Sequence, residues 1–264
     1  MGRRSGSAPS IRASRDGTLD AMVDHARDKP GSEMHEAALE IFEGLATSYE
    51  RVLDVATLAQ DRYWKRWVYE NAEVKSGDLV LDVGCGTCLL EEQLDRCGCN
   101  LVGLDLTERM IRIGRSKEIP GVVGLVHGDA ESLPFPDGIF DVVVSCYVPK
   151  YVDVTRFVKE ASRVLKIGGR IALYDFVRPN GLLSPFLRLY IGGVLPIVGQ
   201  LLEFTRSEAS ITFKNLPRII DGTTWDKGIA EAFERESVRR RTFKALSRGV
   251  VGAYSGTKTD PRGR

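Results

Sequence analysis

The feature that most constrains this chain is a regular alternation of short apolar runs with amphipathic segments between residues 79 and 176. Short apolar runs predict buried strands, and an apolar residue at every third or fourth position predicts a helix. Repeated strand–helix units predict a parallel sheet that is covered by helices on both faces. The predicted strands are Leu79–Val83, Leu101–Leu104, Val122–Val126, Phe140–Cys146 and Arg170–Phe176, and the predicted helices are Cys88–Cys97, Glu108–Ser116 and Val154–Leu165.

The flanking segments complete one domain. Helical spacing of apolar residues over 36–74 predicts helices that cap the sheet, and the runs Val238–Leu246 and Val250–Ser255 predict an antiparallel C-terminal hairpin. The predicted fold is therefore α/β, with a doubly wound, mostly parallel seven-stranded sheet. We expect a single domain over 35–255, a disordered tail over 1–34 and a loose C-terminus over 256–264, because both ends lack an apolar period.

One internal segment, Leu182–Leu202, is apolar over 21 residues with Arg188 as its single charge, which is long enough on paper to span a bilayer. Proline and glycine residues interrupt it, and it lies between strands of one sheet, so a spanning helix is not expected. We interpret 180–232 as an apolar lid that covers an apolar small molecule or rests on a membrane face. Ordinary core packing is the alternative.

The charge composition indicates which kind of partner to expect. The chain has 37 Lys and Arg against 36 Asp and Glu, a net charge of +1, so no overall field attracts it to nucleic acid. We therefore expect a small-molecule partner and no nucleic acid. Contact with a membrane face and a homodimer both stay open.

The cysteines give information on the cellular compartment of the protein and on whether it binds a metal. Five cysteines with no apolar signal sequence ahead of them indicate a reducing interior, so we predict a cytoplasmic protein. The Arg- and Ser-rich first 16 residues leave a transit peptide as the alternative. Cys85-x-x-Cys88 with Cys97-x-Cys99 allows a zinc site, but the first pair lies in a glycine-rich loop that another function explains, so no metal is predicted.

That loop, Asp82-Val83-Gly84-Cys85-Gly86-Thr87, follows the first strand and precedes a helix. Glycines let the backbone turn sharply and approach a ligand, and the helix N-terminus offers unpaired N–H donors. A dinucleotide fingerprint would place Gly or Ala at position 89, which is Leu, and a carboxylate at Asp82 would repel a pyrophosphate. The same carboxylate suits a ligand with an ammonium and a sulfonium, which describes S-adenosylmethionine.

Two further acidic residues follow the next two strands. Asp105 comes 21 residues after Gly84, the spacing at which a carboxylate accepts both hydroxyls of a ribose; a helix cap is the alternative. Asp129 is placed to accept the adenine amino group; a turn residue is the alternative.

These residues resemble the class I methyltransferases, whose fold is Rossmann-like, and among them the C-methyltransferases of ubiquinone and menaquinone biosynthesis. The motifs that carry the resemblance are Tyr63-Trp64-Lys65-Arg66, Asp82 to Thr87, Asp105, Asp129 to Asp137, Phe140-Asp141, Arg163 to Arg170 and Gly249-Val250-Val251. The resemblance implies an S-adenosylmethionine-dependent enzyme that methylates a prenylated quinol; another phenol, a sterol, an amine or a lipid is the alternative acceptor.

Carried over by position, the resemblance implies roles for single residues. Gly84, Gly86 and Thr87 border the methionine part of the cofactor, Asp105 holds the ribose, Asp129 and Ala130 flank the adenine, and Ser145 or Cys146 lies near the methionine carboxylate. The chain departs from the family pattern at four places: Cys88 replaces a third glycine, Asp129 replaces the usual Asn, Lys150-Tyr151 replaces an Arg-Asn pair, and a serine-tyrosine motif is missing around 204–209.

Catalysis of this kind needs alignment and a group that stabilises or deprotonates a quinol hydroxyl. The candidate catalytic residues are Tyr147, Lys150 and Tyr151, which follow the fourth strand. A core position for Tyr147 and a solvated charge for Lys150 are the alternatives.

Overall fold

The computed structural model describes residues 32–178, 184–194, 197 and 222–260. It contains one sheet of order β3-β2-β1-β4-β5-β7-β6, in which the first five strands along the chain are parallel and β7 lies antiparallel between β5 and β6. The strands are β1 Leu79–Val83, β2 Asn100–Asp105, β3 Val122–His127, β4 Phe140–Cys146, β5 Leu165–Phe176, β6 Val238–Leu246 and β7 Val251–Lys258. The predicted fold class, including the C-terminal hairpin, is confirmed.

Helices cover both faces of the sheet. The helices are α1 Ser32–Leu45, α2 Tyr49–Thr57, α3 Asp61–Asn71, α4 Leu89–Leu94, α5 Glu108–Ser116, α6 Val154–Val164, α7 Ser184–Leu189 and α8 Trp225–Arg235. α1 begins three residues inside the segment predicted as a tail, and the rest of that tail lies outside the described residues. Leu165 was predicted as the last helical residue but pairs with Phe140, so β5 begins there rather than at Arg170, with a register shift before the regular pairing.

Alternate residues of the central strands pack on opposite faces, as the pleat of a strand requires. Val80 and Val144 contact the core under α3, whereas Leu81 and Val143 contact the core under α6 and α8. Strand order reverses between β1 and β4, so the connections at their carboxyl ends diverge and leave a crevice. The crevice is where the fold positions a ligand.

The segment interpreted as a lid is described only in part. α7 continues into one π-helical turn, Tyr190–Val194, and the Tyr190 hydroxyl donates to the carbonyl of Val55 at 3.1 Å. Residues 195–196 and 198–221, including the 204–209 region, lie outside the described residues. Among the helices that are described, none is long and apolar enough to cross a membrane.

Candidate active site

A cavity of about 670 Å³, partly open to solvent, lies at the carboxyl ends of β1, β2 and β4. Of the predicted site residues, the structure brings these to the cavity wall: Gly84, Gly86, Asp105, Ala130, Cys146, Tyr147 and Tyr151. The wall is completed by Ala38, Phe42, Tyr49, Leu104, Leu106, Thr107, Met110, Gly128, Val148 and Val152.

Asp105 holds the glycine loop in place. One carboxylate oxygen accepts the Gly86 N–H at 2.8 Å, and the other accepts the Thr107 N–H at 2.8 Å. Burial raises the pKa of Asp105 above its usual range, and these hydrogen bonds oppose the shift. Because two carboxylate oxygens offer about four acceptor positions, two remain for ligand hydroxyls. The turn-forming role of Asp105 is therefore compatible with ligand binding at the same residue.

Asp82 differs from its predicted position at the lip of the site. It is 3% exposed and does not line the cavity. The pleat explains this, because Asp82 follows Val80 by two residues and points to the same face, toward α3 and α4. Burial raises the pKa of Asp82 to about 7, and the Lys65 ammonium opposes the shift.

Three other predicted cofactor residues are engaged by the protein itself. The Thr87 hydroxyl donates to Glu50 at 2.8 Å, and the Ser145 hydroxyl, fully buried, donates to the carbonyl of Val83 at 2.8 Å. Asp129 accepts the Glu131 N–H at 2.7 Å, which is the geometry of a turn residue. The structure places none of the three on the cavity wall, and their roles in cofactor binding stay predictions.

One side of the cavity is aromatic. Phe42 from α1 meets Tyr49 and Tyr151 edge to face, with ring centroids 6.1 and 5.5 Å apart, and Tyr147 completes the group. Sequence reasoning missed Phe42 and Tyr49, because helical spacing marks them as core residues and no motif distinguishes a core face from a cavity face.

A buried polar network lies behind this aromatic wall. Asp61 accepts hydrogen bonds from the hydroxyls of Tyr147 at 2.8 Å and Tyr174 at 2.9 Å, and from the Lys65 ammonium at 2.6 Å. Burial and the Asp61 charge raise the pKa of Tyr147 well above its usual value, so its phenol stays protonated. The network fixes the Tyr147 ring at the cavity edge.

Lys150 lies behind the wall rather than on it. Its ammonium donates to Asp175 at 2.8 Å and to the carbonyl of Tyr147 at 2.8 Å, and it lies 4.2 Å from the centroid of the Tyr151 ring. Lys150 is 8% exposed and Asp175 is fully buried. The pair therefore joins the segment after β4 to the end of β5.

The mixed seven-stranded sheet, with a glycine loop after β1 and an acidic residue at the end of β2, is similar in fold to solved methyltransferases. A putative methyltransferase from Haloferax volcanii, solved with the Trm112 activator, has this fold with a TM-score of 0.59 at 17% identity, over 83% of this chain and 98% of that chain. Geranyl diphosphate C-methyltransferase from Streptomyces coelicolor, solved with S-adenosyl-L-homocysteine, gives 0.54 at 14% identity over 75% and 77%.

The chain belongs to the ubiE/COQ5 methyltransferase family, whose model matches residues 31–258. It is 31% identical to the demethylmenaquinone methyltransferase of Tropheryma whipplei over 218 residues, 81% of this chain and 88% of that protein. It is 29% identical to the ubiquinone/menaquinone biosynthesis C-methyltransferase of Pseudomonas entomophila over 88% and 93% of the two chains. The protein is an S-adenosylmethionine-dependent methyltransferase.

The cavity suits S-adenosylmethionine. A Cβ on Gly84 would lie 2.1 Å from a Val148 methyl group, and one on Gly86 would contact the Tyr49 ring at 3.7 Å, so the loop presents bare backbone where a side chain would intrude. Asp105 supplies a buried carboxylate beside that backbone.

The contribution of Asp105 to cofactor binding can be measured directly. Asp105→Asn replaces one acceptor oxygen with an amide and removes the charge, so we expect S-adenosylmethionine affinity to fall about 10- to 100-fold, the usual value of a hydrogen bond to a charged group. Isothermal titration calorimetry with S-adenosylmethionine measures this. The exposed Asp137→Asn is the control and should bind with unchanged affinity; a loss below about threefold for Asp105→Asn would contradict the assignment.

Proposed function

We propose that this protein methylates a ring carbon of a prenylated quinol, of the demethylmenaquinol or ubiquinone-precursor class. Family membership and the names of the relatives support this acceptor class. The structural observation that carries the proposal is the aromatic side of the cavity, where Phe42, Tyr49, Tyr147 and Tyr151 lie beside the glycine loop. Flat aromatic acceptors pack favourably against such rings.

The cofactor supplies an electrophilic methyl group on a sulfonium. The chain must hold a nucleophilic carbon in line with it and exclude water, and alignment of this kind is worth about 7–11 kcal/mol. The apolar wall meets both needs, since it leaves few polar groups to retain water and offers ring faces that orient the acceptor.

A quinol carbon becomes nucleophilic as its hydroxyl loses a proton. After methyl transfer, the hydrogen on that ring carbon returns to the oxygen as a proton, so that one proton is released in all. Tyr147 is the cavity-wall residue whose hydroxyl bonds a buried carboxylate, Asp61, so this pair is the candidate for the group that takes up the proton. We assign Tyr147 and Asp61 as the route by which that proton leaves. Tyr151 packs against the acceptor ring, and Lys150 is a positioning residue that holds Tyr147 and Tyr151 from behind.

Tyr147→Phe tests the proton route. It removes the hydroxyl and keeps the ring, so we expect kcat to fall about 100-fold or more, with S-adenosylmethionine affinity within about threefold of the unmutated value. The matched control is Tyr174→Phe, whose hydroxyl also binds Asp61 but lies away from the cavity wall. It should lose stability by about 1 kcal/mol and keep most of its turnover. Equal loss of turnover in both variants would contradict the route.

Transfer of a labelled methyl group from S-adenosylmethionine to demethylmenaquinol, with the product identified by mass spectrometry, tests the acceptor class. We expect a carbon-methylated product and no transfer to a simple amine or sterol. Cofactor binding without transfer to any quinol would overturn the proposal, and the phenol, sterol, amine and lipid acceptors would then be tested in turn.

A further inference from the structure

Four residues with metal-binding side chains recur at every third position around the glycine loop: Asp82, Cys85, Cys88 and Glu91. The two thiols and a Glu91 carboxylate oxygen lie within 4.8 Å of one another, and all three residues are buried. Cys97 and Cys99 are not part of this group, since their thiols contact the carbonyls of Val74 and Leu94. The cysteine pairs of the sequence pattern are therefore separated, and the first pair meets a carboxylate instead.

The two acids of this group, Asp82 and Glu91, lie against each other. Glu91 is fully buried, and among the described residues no N–H or hydroxyl group donates to either of its oxygens or to one oxygen of Asp82. An unpaired buried acid is costly, because burial opposes its charged form and a lone polar atom forfeits its hydrogen bonds with water. Lys65, the ammonium that acts on both acids, is already bonded to Asp61. A cation at this point would compensate both acids.

We propose that Cys85, Cys88 and Glu91 bind a thiophilic divalent cation, Zn²⁺ in the first instance, with both oxygens of Glu91 available as ligands. Two thiolates with carboxylate oxygens form a donor set that Zn²⁺ accepts in tetrahedral sites, and thiolates disfavour Mg²⁺ and Ca²⁺. Binding displaces the protons of the two thiols and of the Glu91 carboxyl group to solvent.

The site would act on the cofactor loop through Cys85. This residue lies between Gly84 and Gly86, and its N–H donates to the carbonyl of Leu104 at 3.1 Å. A bound ion would join the loop to the first helical turn of α4, since Cys88 precedes that helix and Glu91 belongs to it. The inference does not depend on the methyl acceptor, because it concerns the face of the loop that points away from the cavity wall.

The variant that tests the site is Cys88→Gly. Cys88 has φ +65°, which glycine adopts without the Cβ penalty, so the change removes one ligand while relieving backbone strain and the chain should still fold. Co²⁺ replaces Zn²⁺ as a visible probe. After exposure to CoCl₂ with a thiol-free reductant and gel filtration, the unmutated chain should retain one equivalent of cobalt and show sulfur-to-cobalt charge-transfer and tetrahedral d–d absorption.

Cys88→Gly should weaken cobalt and zinc affinity by more than about 100-fold, since loss of an outer-shell partner alone costs about 10- to 100-fold. Glu91→Gln should weaken the affinity but keep the charge-transfer band, because both thiolates remain. Cys97→Ser is the matched control and should bind as the unmutated chain does. No retained cobalt in the unmutated chain, or an equal loss in Cys97→Ser, would overturn the proposal. Circular dichroism verifies that each variant is folded.

Discussion

Replacing Lys150 with methionine is expected to lower the free energy of unfolding by about 3–5 kcal/mol in urea denaturation at neutral pH. The substitution keeps the length of the side chain but leaves the fully buried Asp175 without its ammonium partner. Breaking a buried ion pair from one side is costly because the remaining charge has neither water nor a counter-ion. Burial already raises the pKa of Asp175, and the Lys150 charge is what opposes that shift.

Two variants test whether loss of the ion pair is the cause of this destabilisation. Lys159→Met changes an exposed lysine of α6 and should alter stability by less than about 0.5 kcal/mol. The double variant Lys150→Met/Asp175→Asn removes both charges and should recover more than half of the loss, because a neutral amide is cheaper to bury than a lone carboxylate. A loss below about 1 kcal/mol in the single variant would show that the pair contributes little.

The same variants show whether Lys150 transfers a proton or only positions its neighbours. A lysine that transferred the acceptor proton would lower kcat about 100-fold or more when removed, even in folded protein. As a residue behind the wall, Lys150 should instead affect kcat and KM together, each by less than about tenfold, at a temperature where the variant stays folded. The double variant should then regain activity along with stability.

Much of the fold could be predicted from local patterns in the sequence. The bounds of β1, α5, β4 and β6 agree with the predicted ones. β1, α5 and β4 were predictable because each is an uninterrupted apolar or amphipathic run. The start of β5 was wrong because Leu165 continues the apolar period of α6. Its place in the strand is decided by pairing with Phe140, a contact that no local pattern contains.

Site residues could be predicted from the sequence where the backbone conformation allows only one residue type. Gly84 and Gly86 both have positive φ, and Asp105 follows at a fixed spacing, so the motif and the structure agree on the wall they form. The burial of Lys150 was not predictable, because its partner Asp175 lies on another strand. The side of the sheet on which Asp82 lies could have been predicted from the sequence. Alternation along β1 places its side chain on the same face as that of Val80, toward α3.

Gly84→Ala should weaken cofactor binding. The new Cβ would lie 2.1 Å from a methyl group of Val148, a cavity-wall residue, so either that side chain turns into the cavity or the loop shifts. Overpacking of this kind costs about 1–3 kcal/mol, which corresponds to a loss of about 5- to 150-fold in S-adenosylmethionine affinity if the cost falls on the cavity. Calorimetric titration gives the affinity, and thermal unfolding gives the stability.

Gly77→Ala is the matched control for this substitution. Gly77 has φ +84° against +80° at Gly84, but a Cβ there meets no atom within 4 Å. Both variants therefore carry the left-handed backbone penalty of about 1–2 kcal/mol, and only Gly84→Ala adds the steric conflict. The double variant Gly84→Ala/Val148→Ala removes the conflicting methyl groups and should regain most of the lost affinity. If Gly77→Ala weakened binding as much, or if truncating Val148 restored nothing, close approach of the backbone would not be the reason for glycine at position 84.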